Sequence, residues 1–281
     1  MADAACSANG FGCSGSVAMT ARMGPDRAFL GVAALLFAAS VGATALWCGS
    51  MSAMPGMPMP GGWTLSMAWM PICGQTWLGA AASFLGMWVV MMAAMMLPSL
   101  VPMLRRYREA VGRTGETRLS LPTVLAGAGY FAVWTAFGMA IFPLGAGLAA
   151  MAMQEPALAR AVPLASGMVV LLAGALQFTA WKIRRLACCQ EAPGCRDGLP
   201  ADAGAALRHG LRLGVRCSAS CANLTAILLV LGVMDLGVMA MVTAAITAER
   251  LLPASESVAR GIGAAAITAG LLLIAHAAGL G

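Results

Sequence analysis

An all-α, polytopic transmembrane helix bundle of about six spans is the fold class this chain predicts, and three observations predict it. Of its 281 residues, 60% are hydrophobic and 10% are charged, whereas an ordinary soluble domain is roughly 25% charged. The mean hydropathy is +0.83. The apolar residues come in unbroken blocks, several of them reaching the roughly 20 residues that a helical span needs. A disordered chain, a coiled coil and a nucleic-acid-binding domain are excluded by this composition, and a soluble enzyme fits it poorly. The net charge of +6 therefore bears on which loops face the cytoplasm.

The elements follow in order. Residues 1–27 are rich in Gly, Ser and Ala, contain Cys6 and Cys13, and read as a disordered cytoplasmic tail. Residues 28–281 read as a single helical membrane domain. The first block is 28–47. Its Ala43-Thr44-Ala45 looks like a signal cleavage site, but the stretch is span-length and bulky Trp47 stands where a lipoprotein signal wants a small residue, so a retained helix is expected. A Met-rich outer loop, 48–76, follows. The second, third and fourth blocks are 77–104, 121–150 and 161–181. A Cys-containing cytoplasmic loop, 182–216, leads to a fifth block at 222–247 and a last one at 258–280. The apolar stretch from Cys217 to Leu252 is longer than one span needs. It is read as one long tilted helix, with a break near residues 232–237 as the alternative.

Basic residues set the orientation. Fourteen of the 17 lie before the first block, after the second, or between the fourth and fifth. Only Arg160, Arg250 and Arg260 fall to the other side. The rich side is cytoplasmic by the positive-inside rule. That places both termini in the cytoplasm of a bacterial inner-membrane protein. Arg208, Arg212 and Arg216 recur every four residues around His209, which suggests an amphipathic helix on the cytoplasmic surface that attracts anionic lipid.

Methionine is the first chemical signal. The outer loop has no charged residue and presents Met51, Met54, Met57 and Met59, then Met67 and Met70, among Pro and Gly. Thioethers are soft, neutral donors that suit Cu(I) and not oxygen-preferring ions. The second block continues the theme in WVVMMAAMMLP. Met87, Met91 and Met95 share one helical face, with Met92 and Met96 in the neighbouring row. Pro98 removes a backbone hydrogen bond and should kink the helix beside this ladder. Met is also a flexible filler of irregular cores, so packing alone is the competing reading of the stripe.

Cysteine and aspartate supply the second signal. Cys48 and Cys73 flank the outer loop and would pair in an oxidising compartment. Cys188, Cys189, Cys195, Cys217 and Cys221 lie on the cytoplasmic side, where thiols stay reduced. Cys217 and Cys221, four apart, face one side of a helix and can grip one soft ion, with Cys188 and Cys189 completing the set. Asp235 falls near the middle of the fifth block, where a carboxylate costs about 2.5–3.5 kcal/mol and marks an ion or proton path. Gln177 and Asn223 are polar groups near the cysteines.

WVVMMAAMMLPSLVPM, GYFAVW (Gly129–Trp134), QFTAWK (Gln177–Lys182), the Cys188-Cys189 pair, HGLRLGVRCSASCANL, GVMDL and Glu249-Arg250 together resemble a bacterial family of predicted metal-binding integral membrane proteins, often labelled copper chaperones. The resemblance covers about 77–253. It implies metal binding by recurrent Cys and Met. Where relatives show His-Cys followed by a Cys-Cys pair, this chain has Arg216-Cys217 and Ser220-Cys221, which shifts weight to Met ligands.

These readings converge on an integral membrane Cu(I) chaperone or assembly factor without catalytic turnover. Met51, Met54, Met57 and Met59 would collect Cu(I), and Met91, Met92, Met95 and Met96 would hold or pass it. Asp235 would tune the path, and Cys188, Cys189, Cys217 and Cys221 would form an inner station. Its partners would be membrane lipid and a cuproprotein or copper carrier. Three rivals use the same residues differently: a proton-coupled small-solute transporter with Asp235 as carrier, a thiol oxidoreductase, against which the lack of CxxC weighs, and a scaffold subunit.

Overall fold

In an apolar solvent every backbone N–H and C=O must be satisfied within the chain, so long apolar runs become helices. The computed structural model describes residues 23–53, 56–71, 74–112, 120–190, 202–252 and 254–279. Its helices are α1 (Met23–Ser52), α2 (Trp77–Gly112), α3 (Ser120–Gln154), α4 (Pro156–Leu176), α5 (Ala180–Gln190), α6 (Ala203–Leu231), α7 (Leu236–Leu251) and α8 (Ser255–Ala277). Six of them, all except α5 and α7, are long and apolar enough to cross a membrane.

The core lies among α2, α3, α6 and α7. α2 is the most buried helix, and α1 packs along it at the periphery with Leu35, Leu36 and Leu46 exposed. Trp88 of α2 is fully buried and its Nε1 donates to the Trp134 carbonyl of α3 at 2.9 Å. α3 and α6 run parallel and touch through small residues. A Cβ on Gly210 would lie 2.0 Å from the Ala126 carbonyl oxygen, and one on Gly129 would lie 2.6 Å from that of Leu207. α4 and α8 run antiparallel in the same manner, with Gly174 against Ile267 and Gly270 against Leu171. Close backbone approach through small residues is the usual solution where lipid provides no hydrophobic drive between helices.

The outer loop is ordered where it is described. Met57–Met59 (β1) and Trp63–Leu65 (β2) form an antiparallel hairpin, with Met57 opposite Leu65 and Met59 opposite Trp63. Trp63 Nε1 donates to the Ala159 carbonyl at 2.8 Å, and Met59 and Leu65 pack on Ala149, Ala152 and Ala159. A short 3-10 turn, Met67–Trp69, follows, and Trp69 seats its ring over Gly145 and against Phe84. This side of the bundle is the hairpin end; the opposite, basic end carries Arg105, Arg106, Lys182 and Arg208.

Four expectations need correction. The apolar stretch 217–252 is not one helix. α6 stops at Leu231, Gly232 adopts φ +139, and Asp235 caps α7 by accepting from Val238 N at 3.0 Å. A positive φ open to glycine and an Asp N-cap together turn the chain. α7 then runs back alongside α6 to the basic end, so α8 finishes at the hairpin end while α1 begins at the basic end. The ends of the described residues, Met23 and Gly279, therefore lie at opposite ends of the bundle. Arg250 and Arg260 also move to the basic end, leaving Arg160 as the basic residue at the hairpin end among the described residues. Finally, Arg208–Arg216 is no separate surface helix, and the described end of the expected loop, residues 203–216, is helical; 191–201 lie outside the described residues. Residues 203–216 belong to the opening turns of α6, with Ala206, Gly210 and Gly214 packed on α3.

Two outcomes test this arrangement. Reporters fused before Met23 and after Gly279 will report opposite sides of the membrane. Gly210→Ala will lower the thermal midpoint in detergent, with an overpacking cost on the order of 1–3 kcal/mol. Gly147→Ala, where nothing lies within 4 Å of the new methyl, will not.

Candidate metal centre

Two buried groups of side chains adjoin near the basic half of the bundle. The first is ionic. Lys182 of α5 is 0% exposed, Glu249 of α7 is 2% and Arg250 is 6%. Lys182 Nζ lies 2.8 Å from Glu249 Oε2 and donates to the Ser220 carbonyl at 2.5 Å and to Asn223 Oδ1 at 3.3 Å. Gln177 Nε2 donates to Glu249 Oε1 at 2.7 Å, and Asn223 Nδ2 to the Ala173 carbonyl at 3.2 Å. Arg250 spreads its guanidinium over three groups: Ser220 Oγ at 2.8 Å, the Cys217 carbonyl at 3.1 Å and Ser99 Oγ of α2 at 3.3 Å. A buried charge is tolerated when it is paired and its remaining hydrogen-bonding positions are filled, and here α2, α4, α5, α6 and α7 are all drawn in to do so.

The second group is sulfur. Cys217 and Cys221 sit one turn apart on α6, both buried. Cys217 Sγ shares a 2.8 Å hydrogen bond with the Tyr130 hydroxyl and lies 4.0 Å from Met96 Sδ. Cys221 Sγ donates to the Cys217 carbonyl at 3.0 Å. Met96 is the inner end of a row on α2. Met87, Met91, Met92, Met95 and Met96 are all buried, in one core with both cysteines. The helix continues through Pro98 and Pro102. Steps of four residues on a helix rise about 6 Å, so the row gives soft donors at short intervals from the hairpin end to Cys217.

The other expected ligands are placed differently. Met51, at the end of α1, is half-buried at the hairpin end. Met57 is exposed on β1 and Met59 is buried on the far side of the hairpin, against Ala149 and Ala152. They do not form one collecting cluster: Met51 belongs to α1, Met57 is exposed, and Met59 is packed on α3. Met54, Cys73, Cys195 and the side chains of Cys188 and Cys189 lie outside the described residues. Asp235 is exposed at the turn, where its carboxylate caps α7 by accepting from Val238 N. Among the described residues no three His, Cys, Asp or Glu side chains gather into a metal-holding group.

Sequence reasoning took Lys182 as a loop charge that sets orientation and did not assign a contact to Glu249-Arg250. The available signal was two adjacent opposite charges inside an apolar block, which need buried partners.

The fold and these two groups define a polytopic helical membrane protein with an internal sulfur row braced by a buried ion pair. Within that class, a family model described as PpoB2, copper chaperone, matches residues 85–273. The chain belongs to that family, and the membership associates it with copper. The match runs from within α2 into α8 and takes in Tyr130, Lys182, Cys217, Cys221, Glu249 and Arg250. No curated protein and no solved structure matches the chain.

Lys182→Ala will leave Glu249 buried without its cation and destabilise the bundle by roughly 3–5 kcal/mol. The double change Lys182→Met with Glu249→Leu will recover more than half of that loss in a detergent unfolding series.

Proposed function

We propose that this protein is a Cu(I) chaperone of the bacterial inner membrane, with its basic end in the cytoplasm, that moves or holds Cu(I) along the α2 sulfur row without catalytic turnover. The observation that carries the reading is the buried row Met87, Met91, Met92, Met95 and Met96, ending 4.0 Å from the Cys217 sulfur. Packing needs apolar volume, which Leu supplies with better-defined rotamers. Five buried thioethers on one helix, one of them against a thiol, are donors that suit a soft monovalent ion. Neutral thioethers release no proton on binding, so the ion can step between donors by ligand exchange with copper remaining Cu(I). Tyr130 and the Cys217 carbonyl hold the two thiols at the inner end of the row.

The ion-pair group serves this path by position. Arg250 bonds the Cys217 carbonyl and reaches Ser99, whose hydroxyl donates to the Met96 carbonyl at 3.1 Å. It thereby sets α6 against α2 at the level where Cys217 meets Met96. The receiving partner is a copper-requiring protein or a second copper carrier, reached from either end of the row. Residues 28–281 act as one membrane domain in this reading, with 1–27 as a cytoplasmic tail.

Cu(I) competition titration on the purified chain in detergent tests the proposal. The wild type will retain Cu(I), and a Met91/Met92/Met95/Met96→Leu variant will lose at least one equivalent or hold it ten-fold more weakly. Equal Cu(I) retention in the two proteins would reduce the row to core packing.

A further inference from the structure

At the hairpin end, α1, the 3-10 turn, α2 and the α6–α7 turn surround a cavity of about 260 Å³. Five methionines line it: Met51 from the end of α1, Met67 and Met70 from the outer segment, Met87 from α2 and Met234 from the turn. We propose that this cavity is a Cu(I) entry site that loads the α2 row. The inference rests on the Cu(I) reading above and adds the place and donor set at which the ion first binds.

Four observations support it. First, these methionines border an open volume. Met51, Met67, Met70 and Met234 are half-buried around it, and Met87 is buried behind them. Second, among the described residues no charged side chain lines the cavity. Its polar groups are neutral, and Gln75 Nε2 donates to Ser83 Oγ at 3.0 Å. Hard divalent ions, which want several oxygens and anionic charge, have nothing to hold them, whereas Cu(I) accepts uncharged sulfur. Trp47 and Phe84 add aromatic walls, which favour a weakly hydrated cation. Third, Met87 is both the inner wall of the cavity and the first member of the series Met87, Met91, Met95, so an ion bound there is one helical turn from the next donor. Fourth, the volume is several times the ~30 Å³ share of a water molecule. It admits the ion together with a sulfur arm of a delivering carrier, which is what transfer by ligand exchange requires. Copper stays Cu(I) throughout, one carrier sulfur leaves as one protein sulfur binds, and no electron moves.

Asp235 follows Met234 directly and is exposed at the same turn. Its carboxylate lies outside the cavity wall, where it draws cations to the mouth without competing as a ligand.

The test is oxidation footprinting of the full wild-type chain in detergent, with Ag(I) as a redox-inert stand-in for Cu(I). Peroxide converts accessible Met to sulfoxide, read by peptide mass spectrometry. One equivalent of Ag(I) will slow oxidation of Met67, Met70 and Met234 at least five-fold, while exposed Met151 keeps its rate and Zn²⁺ protects none of them. Unchanged rates at the three cavity methionines would overturn the entry site. A Met67/Met70/Met234→Leu variant provides the second arm, and the footprint on the wild type decides if that variant does not fold. Loss of one Cu(I) equivalent in it supports the site. Full Cu(I) retention in it, with loss in the α2 row variant, would sink the entry site and leave the chaperone reading standing. A wild type that binds no Cu(I) would remove both.

Discussion

The buried pair of Lys182 and Glu249 is the constraint on which the bundle depends. Neither charge can reach water, so the chain has to bring every partner to them. Lys182 spends its ammonium on Glu249, the Ser220 carbonyl and Asn223, while Gln177 takes the second carboxylate oxygen. These bonds demand that Glu249 return to the level of Ser220. Leu231 lies eleven residues beyond Ser220, and Glu249 thirteen residues beyond Leu236. At about 1.5 Å per residue the two arms are about 17 and 20 Å long. The hairpin of α6 and α7 thus has nearly equal arms, and Gly232 and Asp235 have to reverse the chain between them.

That reversal decides the sidedness of the rest. It makes Asp235 an N-cap, so the carboxylate accepts from a backbone N–H at the start of α7. It carries Arg250 and Arg260 back to the basic end, which sharpens the charge asymmetry between the two ends. It also brings Met234 to the wall shared by Met51 and Met87 at the hairpin end, and Arg250 to Ser99 at the other. One turn places both ends of the sulfur row in their surroundings.

The chemistry that follows is a contrast between two buried materials. The ion pair and its hydrogen bonds are rigid and directional, and they fix where α6 sits against α2. The thioethers beside them are neutral, flexible and soft, so a monovalent ion can be held without being trapped by charge. Cys217 stands at the junction, with its carbonyl bound by Arg250 and its sulfur against Tyr130 and Met96. A rigid frame around exchangeable donors is the arrangement that a carrier of Cu(I) requires.

Much of this was legible in the residues. Block length and low charge determined a helical bundle, because an apolar run of about 20 residues has no other satisfied state in lipid. The four-residue spacing of Met87, Met91 and Met95, and of Cys217 and Cys221, determined that each set shares a helical face. The family was legible in WVVMMAAMMLPSLVPM and in Glu249-Arg250. Other features were decided only by tertiary contact. Hydropathy does not distinguish one long helix from a hairpin when Leu, Val, Met and Gly are apolar in both, so the break at Gly232 stayed open until Glu249 was seen to need Lys182. Met59 and Met51 looked equivalent in the outer loop, yet Met59 lies in the hairpin that Trp63 anchors on Ala159, whereas Met51 ends α1 beside the cavity. Sequence determines which donors exist and which face of their own helix they share; only the packing of buried charge decides which helices bring those faces together.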